Sequence, residues 1–203
     1  EFSQESFIPA EPEAAFKDTE PSPAIPSKEP VNFQITNEDL GAGGPKAKFQ
    51  ANLEAIKLLQ ALHFEDRSAT PEEQEILSRY VGWGGLPMAF DENNKSWADE
   101  YTQLKELLSP PEYEAARSST LNAHYTSPVI IRTMYEILEN MGFTSGNILE
   151  PSCGIGNFFG CLPETMRDSH LYGVELDSLT GQIAKQLYPK ADITIDGFEH
   201  THF

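Results

Sequence analysis

Residues 147–158 constrain this chain more than any other stretch. The apolar run Asn147-Ile148-Leu149-Glu150 leads straight into the turn Pro151-Ser152-Cys153-Gly154-Ile155-Gly156, and an apolar helical stretch follows from Asn157. A strand that ends in a glycine-rich turn and re-enters a helix is how an open α/β sheet begins. The pattern then repeats. Leu171-Tyr172-Gly173-Val174-Glu175 and Asp192-Ile193-Thr194-Ile195 are two further strand-length runs, with helical stretches over about 157–166 and 178–187 between them. Strands alternating with helices predict a parallel sheet with right-handed crossovers.

In such sheets, ligands bind beyond the carboxyl ends of the strands. Gly154 and Gly156 allow a close backbone approach there. Glu175 ends the second strand nineteen residues after Gly156, where a carboxylate can accept hydrogen bonds from both hydroxyls of a ribose. Each feature has a plainer reading: the glycines as packing residues, Glu175 as a surface acid. Together they point to a nucleoside cofactor. A dinucleotide fingerprint needs a small residue where this chain has Phe159, and Phe158 before it is also bulky, so NAD is disfavoured. Glu150 beside the turn suits a cationic ligand better than a pyrophosphate.

Ahead of the sheet lies a helical section. Pro45 opens a helix with Phe49, Leu53, Ile56, Leu59 and Leu62 on one face. Thr70-Pro71-Glu72-Glu73 is a capping box that starts a second helix, expected to reach Val81. Gly82-Trp83-Gly84-Gly85 breaks it. Helices over about 96–108 and 110–117 follow. Trp83 reads as a buried anchor in this turn and not as a base-stacking platform.

Residues 1–40 read as a disordered acidic linker. Six prolines fall before position 31, and nine acidic side chains stand against two basic ones. Phe2, Phe7 and Phe16 are scattered aromatics in that arm. The whole chain carries a formal charge of −18, of which −11 remains outside the first forty residues. An acidic body is a poor grip for DNA, so any DNA contact falls to regions outside this chain. Cys153 and Cys161 have no zinc or disulfide spacing and read as reduced structural thiols. His200 and His202 lack a third ligand, so no metal is expected. With no apolar run of membrane-spanning length and no signal-peptide pattern, the expected location is the cytoplasm, away from membranes.

These motifs carry a resemblance. Glu150-Pro151-Ser152-Cys153-Gly154-Ile155-Gly156-Asn157-Phe158 resembles the first motif of the N6-adenine DNA methyltransferases, which reads acidic-Pro-x-x-Gly-x-Gly-x-Phe. His124-Tyr125-Thr126-Ser127-Pro128 resembles the segment that precedes it. Gly173-Val174-Glu175-Leu176-Asp177 resembles the second motif, and Asp196-Gly197-Phe198 the third. The resemblance implies S-adenosylmethionine as cofactor and a partial Rossmann-like methyltransferase sheet over 121–203, preceded by a helical region over 41–120. It further implies that Tyr125 and Thr126 meet the methionine part, and that Glu150, Pro151, Gly154, Gly156, Asn157 and Phe158 form the first-motif wall. Glu175 would take the ribose, Asp196 the adenine amino group and Phe198 the ring. Gly44-Pro45-Lys46-Ala47-Lys48-Phe49 with Tyr80-Val81-Gly82-Trp83-Gly84-Gly85 is similar to the large methylase–helicase proteins of bacterial mobile elements. That similarity implies a helicase-like region elsewhere in the same polypeptide.

One motif is missing. The family's catalytic Asn/Asp-Pro-Pro-aromatic motif follows the third motif, and residues up to Phe203 do not contain it. This chain is therefore expected to hold no catalytic residue and to transfer no methyl group alone. The competing class is a non-catalytic methyltransferase-like module that docks a helicase or another DNA-processing partner. Joint retention of Glu150, Gly154, Gly156, Glu175 and Asp196 favours a working pocket. A half-sheet also leaves a strand edge unpaired, which gives a route to self-association.

Overall fold

A computed structural model of the chain describes residues 30–37, 40–123 and 125–203. The linker reading over 1–29, with Phe2, Phe7 and Phe16, lies outside the described residues, as does His124.

Helix α1 (Pro45–Phe64) starts on a first-turn proline and buries Phe49, Leu53, Ile56, Leu59 and Leu62, the face that its periodicity predicts. Helix α2 (Pro71–Leu77) opens on the expected capping box. Thr70 Oγ1 accepts from Glu73 N–H at 3.3 Å, and Thr70 N–H donates to Glu73 Oε2 at 2.8 Å. It ends four residues before the predicted Val81. The reason is tertiary: Asn52 Oδ1 of α1 takes the Val81 N–H at 2.9 Å, and Arg79 and Tyr80 close tighter turns onto Ile76 and Leu77. The chain is thereby free to swing Tyr80, Trp83 and Leu86 into the core. Two single turns of 3₁₀ helix (87–90 and 95–97) lead to α3 (Ala98–Leu107) and α4 (Pro110–Ser119).

Helix α5 (Pro128–Asn140) precedes three parallel strands, β1 (Asn147–Glu150), β2 (His170–Glu175) and β3 (Asp192–Ile195), in the order β1-β2-β3. Ile148 pairs with Leu171, and Gly173 with Ile193. Between β1 and β2 the helix α6 (Asn157–Gly160) is a single turn where a stretch to about 166 is predicted. Pro163 disfavours helical backbone at Leu162, and a separate short turn (164–166) follows. Helix α7 (Ser178–Leu187) is capped by Asp177, whose Oδ2 accepts from Thr180 N–H at 2.9 Å. The protein is thus a mixed α/β structure with a small parallel sheet.

The helical front and the sheet share one core, which runs from Phe49, Leu59 and Trp83 to Phe159, Ile183 and Tyr188. Gln74 of α2 reaches across, donating to Gln186 O at 3.0 Å and to Val31 O at 3.1 Å. Residues 30–37 correct the linker reading for that stretch. Phe33 N–H donates to Leu187 O and Ile35 N–H to Gly160 O, both at 2.8 Å, and both side chains are buried. Alternation of Phe33 and Ile35 is a strand-like signal that the prolines and acids around it outweigh in a forty-residue composition.

A cavity at the ends of the first two strands

A cavity of about 780 Å³ opens beyond the carboxyl ends of β1 and β2. One wall is the turn after β1, another the start of α7, and the third comes from the helical front, with Tyr80, Gly82 and α4. Seven of the predicted residues line it: Tyr125, Thr126, Glu150, Gly154, Asn157, Phe158 and Glu175. Sequence periodicity gives no hint that α4 closes the other side, because a helix face toward a cavity looks like any half-polar surface.

The turn is built from both strands. Cys153 N–H donates to Val174 O at 2.9 Å, and Gly154 N–H donates to Glu175 Oε2 at 2.8 Å. The other oxygen of Glu175 accepts from Asp177 N–H at 2.9 Å. Glu175 therefore stitches the turn to the head of α7 while still facing the cavity. Gly154 and Gly156 have φ of 56° and 86°, where a side chain would be strained. They also accept close neighbours. A Cβ on Gly154 would meet Tyr125 Cε1 at 2.6 Å, and one on Gly156 would meet Tyr188 Cε2 at 2.5 Å. Gly156 thus serves packing; it and Pro151 do not line the cavity.

Two carboxyl groups, of Glu150 and Glu175, face the cavity, and burial disfavours the charge on both. Burial, with the Glu175 carboxylate close by as a second cause, pushes the Glu150 carboxyl up to about 8. Glu175 is also raised by burial, an effect its two backbone donors oppose. Burial likewise lifts the Cys153 thiol to about 12, so it stays protonated and unreactive. Glu150 Oε2 and Asn157 Oδ1 are buried without a hydrogen-bond partner among the described residues. Two orphaned acceptors in one cavity fit a ligand that brings N–H donors or positive charge.

Asp196 and Phe198 stand elsewhere. Asp196 Oδ1 pairs with His200 Nδ1 at 3.0 Å and accepts from Gly197 N–H at 2.7 Å, and its side chain is exposed. The His200 hydrogen bond, then that of Gly197, hold its carboxyl below the ordinary range. Phe198 stacks on Phe203, half exposed. Neither lines the cavity. Asp196 touches the site only through its backbone N–H, which donates to Glu175 O at 3.1 Å. Cys153 and Cys161 are free and buried. No helix of the described residues is long and apolar enough to cross a membrane.

The chain is similar to the protein named "Defense against restriction protein B" of Escherichia phage P1, with 25% identity over 170 residues. That match covers 84% of this chain and 6% of the phage protein, so the chain spans a small part of its relative. No protein-family model and no solved structure matches the chain.

Proposed function

We propose that the cavity binds S-adenosylmethionine and that the chain is the cofactor-holding part of a DNA adenine-N6 methyltransferase. The observation that carries this reading is the pair of orphaned acceptors, Glu150 Oε2 and Asn157 Oδ1, in a cavity at the strand ends. The three-stranded parallel sheet in the order β1-β2-β3 supports this reading, because ligands of open α/β sheets bind at this end of the strands.

The residues present fit the group. Glu150 and Asn157 would take its ammonium and sulfonium region, with Tyr125 and Thr126 lining the same cavity. Glu175 keeps lone pairs free beside its two backbone bonds and would accept from the ribose. Leu176 and the small residues of α4 line the remaining space, where an adenine ring would be held in place of contacts from Asp196 and Phe198. The bound group supplies an electrophilic methyl on sulfur. The chain's own part is to orient that donor and to keep water from it, since alignment provides most of the rate of such a transfer.

The acceptor, a DNA adenine, would be brought by regions outside this chain, because a chain of net charge −18 repels phosphate. A helicase-like region of the same polypeptide in the cytoplasm is the companion we propose for it. The phage relative's name speaks of defence against restriction, and adenine methylation is one chemistry that masks a cleavage site.

Photolabelling tests the reading. Ultraviolet irradiation with methyl-labelled S-adenosylmethionine should label peptides spanning 150–158 and 175–180, and excess S-adenosylhomocysteine should prevent it. Label spread over the surface, or unaffected by the competitor, would contradict it.

A further inference from the structure

The ligand reading gives no role to Trp83, Gly84 and Gly85 of the turn Gly82-Trp83-Gly84-Gly85, although Gly82 itself lines the cavity. Asn52 of α1, fully buried, holds this turn from below. Its Nδ2 donates to Gly82 O at 2.6 Å while its Oδ1 accepts from Val81 N–H at 2.9 Å. A buried amide satisfied at both ends fixes the backbone it grips. Trp83 anchors the same turn, packing ring-edge contacts against Phe49, Tyr80 and Phe90 with centroids 5.4–6.4 Å away.

The upper side of the turn carries the segment that leads to the cavity. A Cβ on Gly84 would overlap the carbonyl oxygen of Ala123, and Gly85 N–H donates to Thr120 O at 3.3 Å. Two residues beyond Ala123, the ring of Tyr125 stands between the turn and the site. A Cβ built on Gly82 would meet its Cε2 at 3.0 Å, and one on Gly154 would meet its Cε1 at 2.6 Å. Opposite edges of one ring thus touch two glycines, one from the helical front and one from the turn after β1.

We propose that Gly82–Gly85 is a seat that sets Tyr125 against the Gly154 turn, which makes Asn52 and Gly84 positioning residues for the ligand cavity. A ring held at both edges leaves the Gly154 N–H aimed at Glu175. Raising the seat moves Ala123 by backbone contact, and a carbonyl oxygen cannot rotate aside as a side chain would. Close-packed interiors pass such a displacement on. The seat itself follows from these contacts alone; its effect on affinity rests on the S-adenosylmethionine reading.

The test measures amide hydrogen exchange of the ligand-free protein and S-adenosylmethionine affinity, in the full chain and in Gly84→Ala, Tyr125→Ala and the double variant. Gly84→Ala should lose protection at 123–126 and 150–156, keep it in α1 and α7, and bind about fivefold more weakly or worse, the usual lower bound for coupled sites. Tyr125→Ala, which removes a half-buried ring, should expose 150–156 in the same way. The double variant should bind within about twofold of Tyr125→Ala, because both changes break one linkage. Unchanged protection at 150–156 in Tyr125→Ala, or losses that multiply in the double variant, would overturn the seat. Should the wild-type chain bind no S-adenosylmethionine, the ligand reading fails, and the exchange at 150–156 alone decides the seat.

Discussion

Gly154 donates its backbone N–H to Glu175 Oε2 at 2.8 Å, so the turn after β1 is held by the side chain that ends β2. The same carboxylate accepts from Asp177 N–H at 2.9 Å, which ties in the capping residue of α7. Three elements that surround the cavity are therefore joined through one residue. Glu175→Ala should weaken S-adenosylmethionine binding by about 1–3 kcal/mol, the usual cost of charge-assisted hydrogen bonds. Titration calorimetry checks this. Unchanged affinity would remove Glu175 from the site.

Glu150 gives a pH prediction. Its folded carboxyl titrates near 8 against an ordinary 4.5, because burial disfavours the charge. A raised folded value means that its contribution to stability is complete below about 4.5 and is lost as pH rises through about 8. The melting temperature should therefore fall over that interval more steeply in wild type than in Glu150→Gln. A cationic ligand reverses the preference, so binding at pH 7 should release a proton. The binding enthalpy should then depend on the ionisation enthalpy of the buffer, and in Glu150→Gln it should not.

Trp83 is 2% exposed and meets three aromatic rings. Trp83→Ala should cost about 3–5 kcal/mol in urea unfolding, the range for truncating a buried aromatic. A loss under about 1 kcal/mol would show that the helical front repacks without it.

Helix α5 presents an apolar stripe to solvent through Ile130, Met134, Ile137 and Leu138, continued by Met141 just after it, and Leu149 on the open edge strand β1 is also exposed. Opposing this is the charge of −18. Self-association should accordingly be weak at low ionic strength and rise as salt screens the repulsion. Sedimentation velocity at low and high salt measures it. Ile137→Glu should hold the protein monomeric in both; a wild-type chain that dissociates as salt rises would contradict this account.

Much of the fold was legible because it follows local rules. The Thr70–Glu73 box, the apolar face of α1, and strands β1 and β3 stand where periodicity and capping place them, and β2 begins one residue early. The misses are non-local. Nothing near Val81 reveals that Asn52, 29 residues away, claims its N–H. Phe33 and Ile35 pack into the core, and their backbone is held there by carbonyls of Leu187 and Gly160, more than a hundred residues away in sequence. At the cavity, the spacing of Glu150, Gly154 and Glu175 anticipates their meeting. It does not anticipate that Asp196 turns to His200, or that the two glycines hold tyrosine rings. Side-chain choices of that kind depend on neighbours that the linear pattern leaves unspecified.

The most direct measurement is calorimetric titration of the chain with S-adenosylmethionine, with NAD as the comparison ligand. The account predicts saturable one-to-one binding of S-adenosylmethionine and none of NAD. A folded sample that binds neither, or that binds NAD alone, would contradict it.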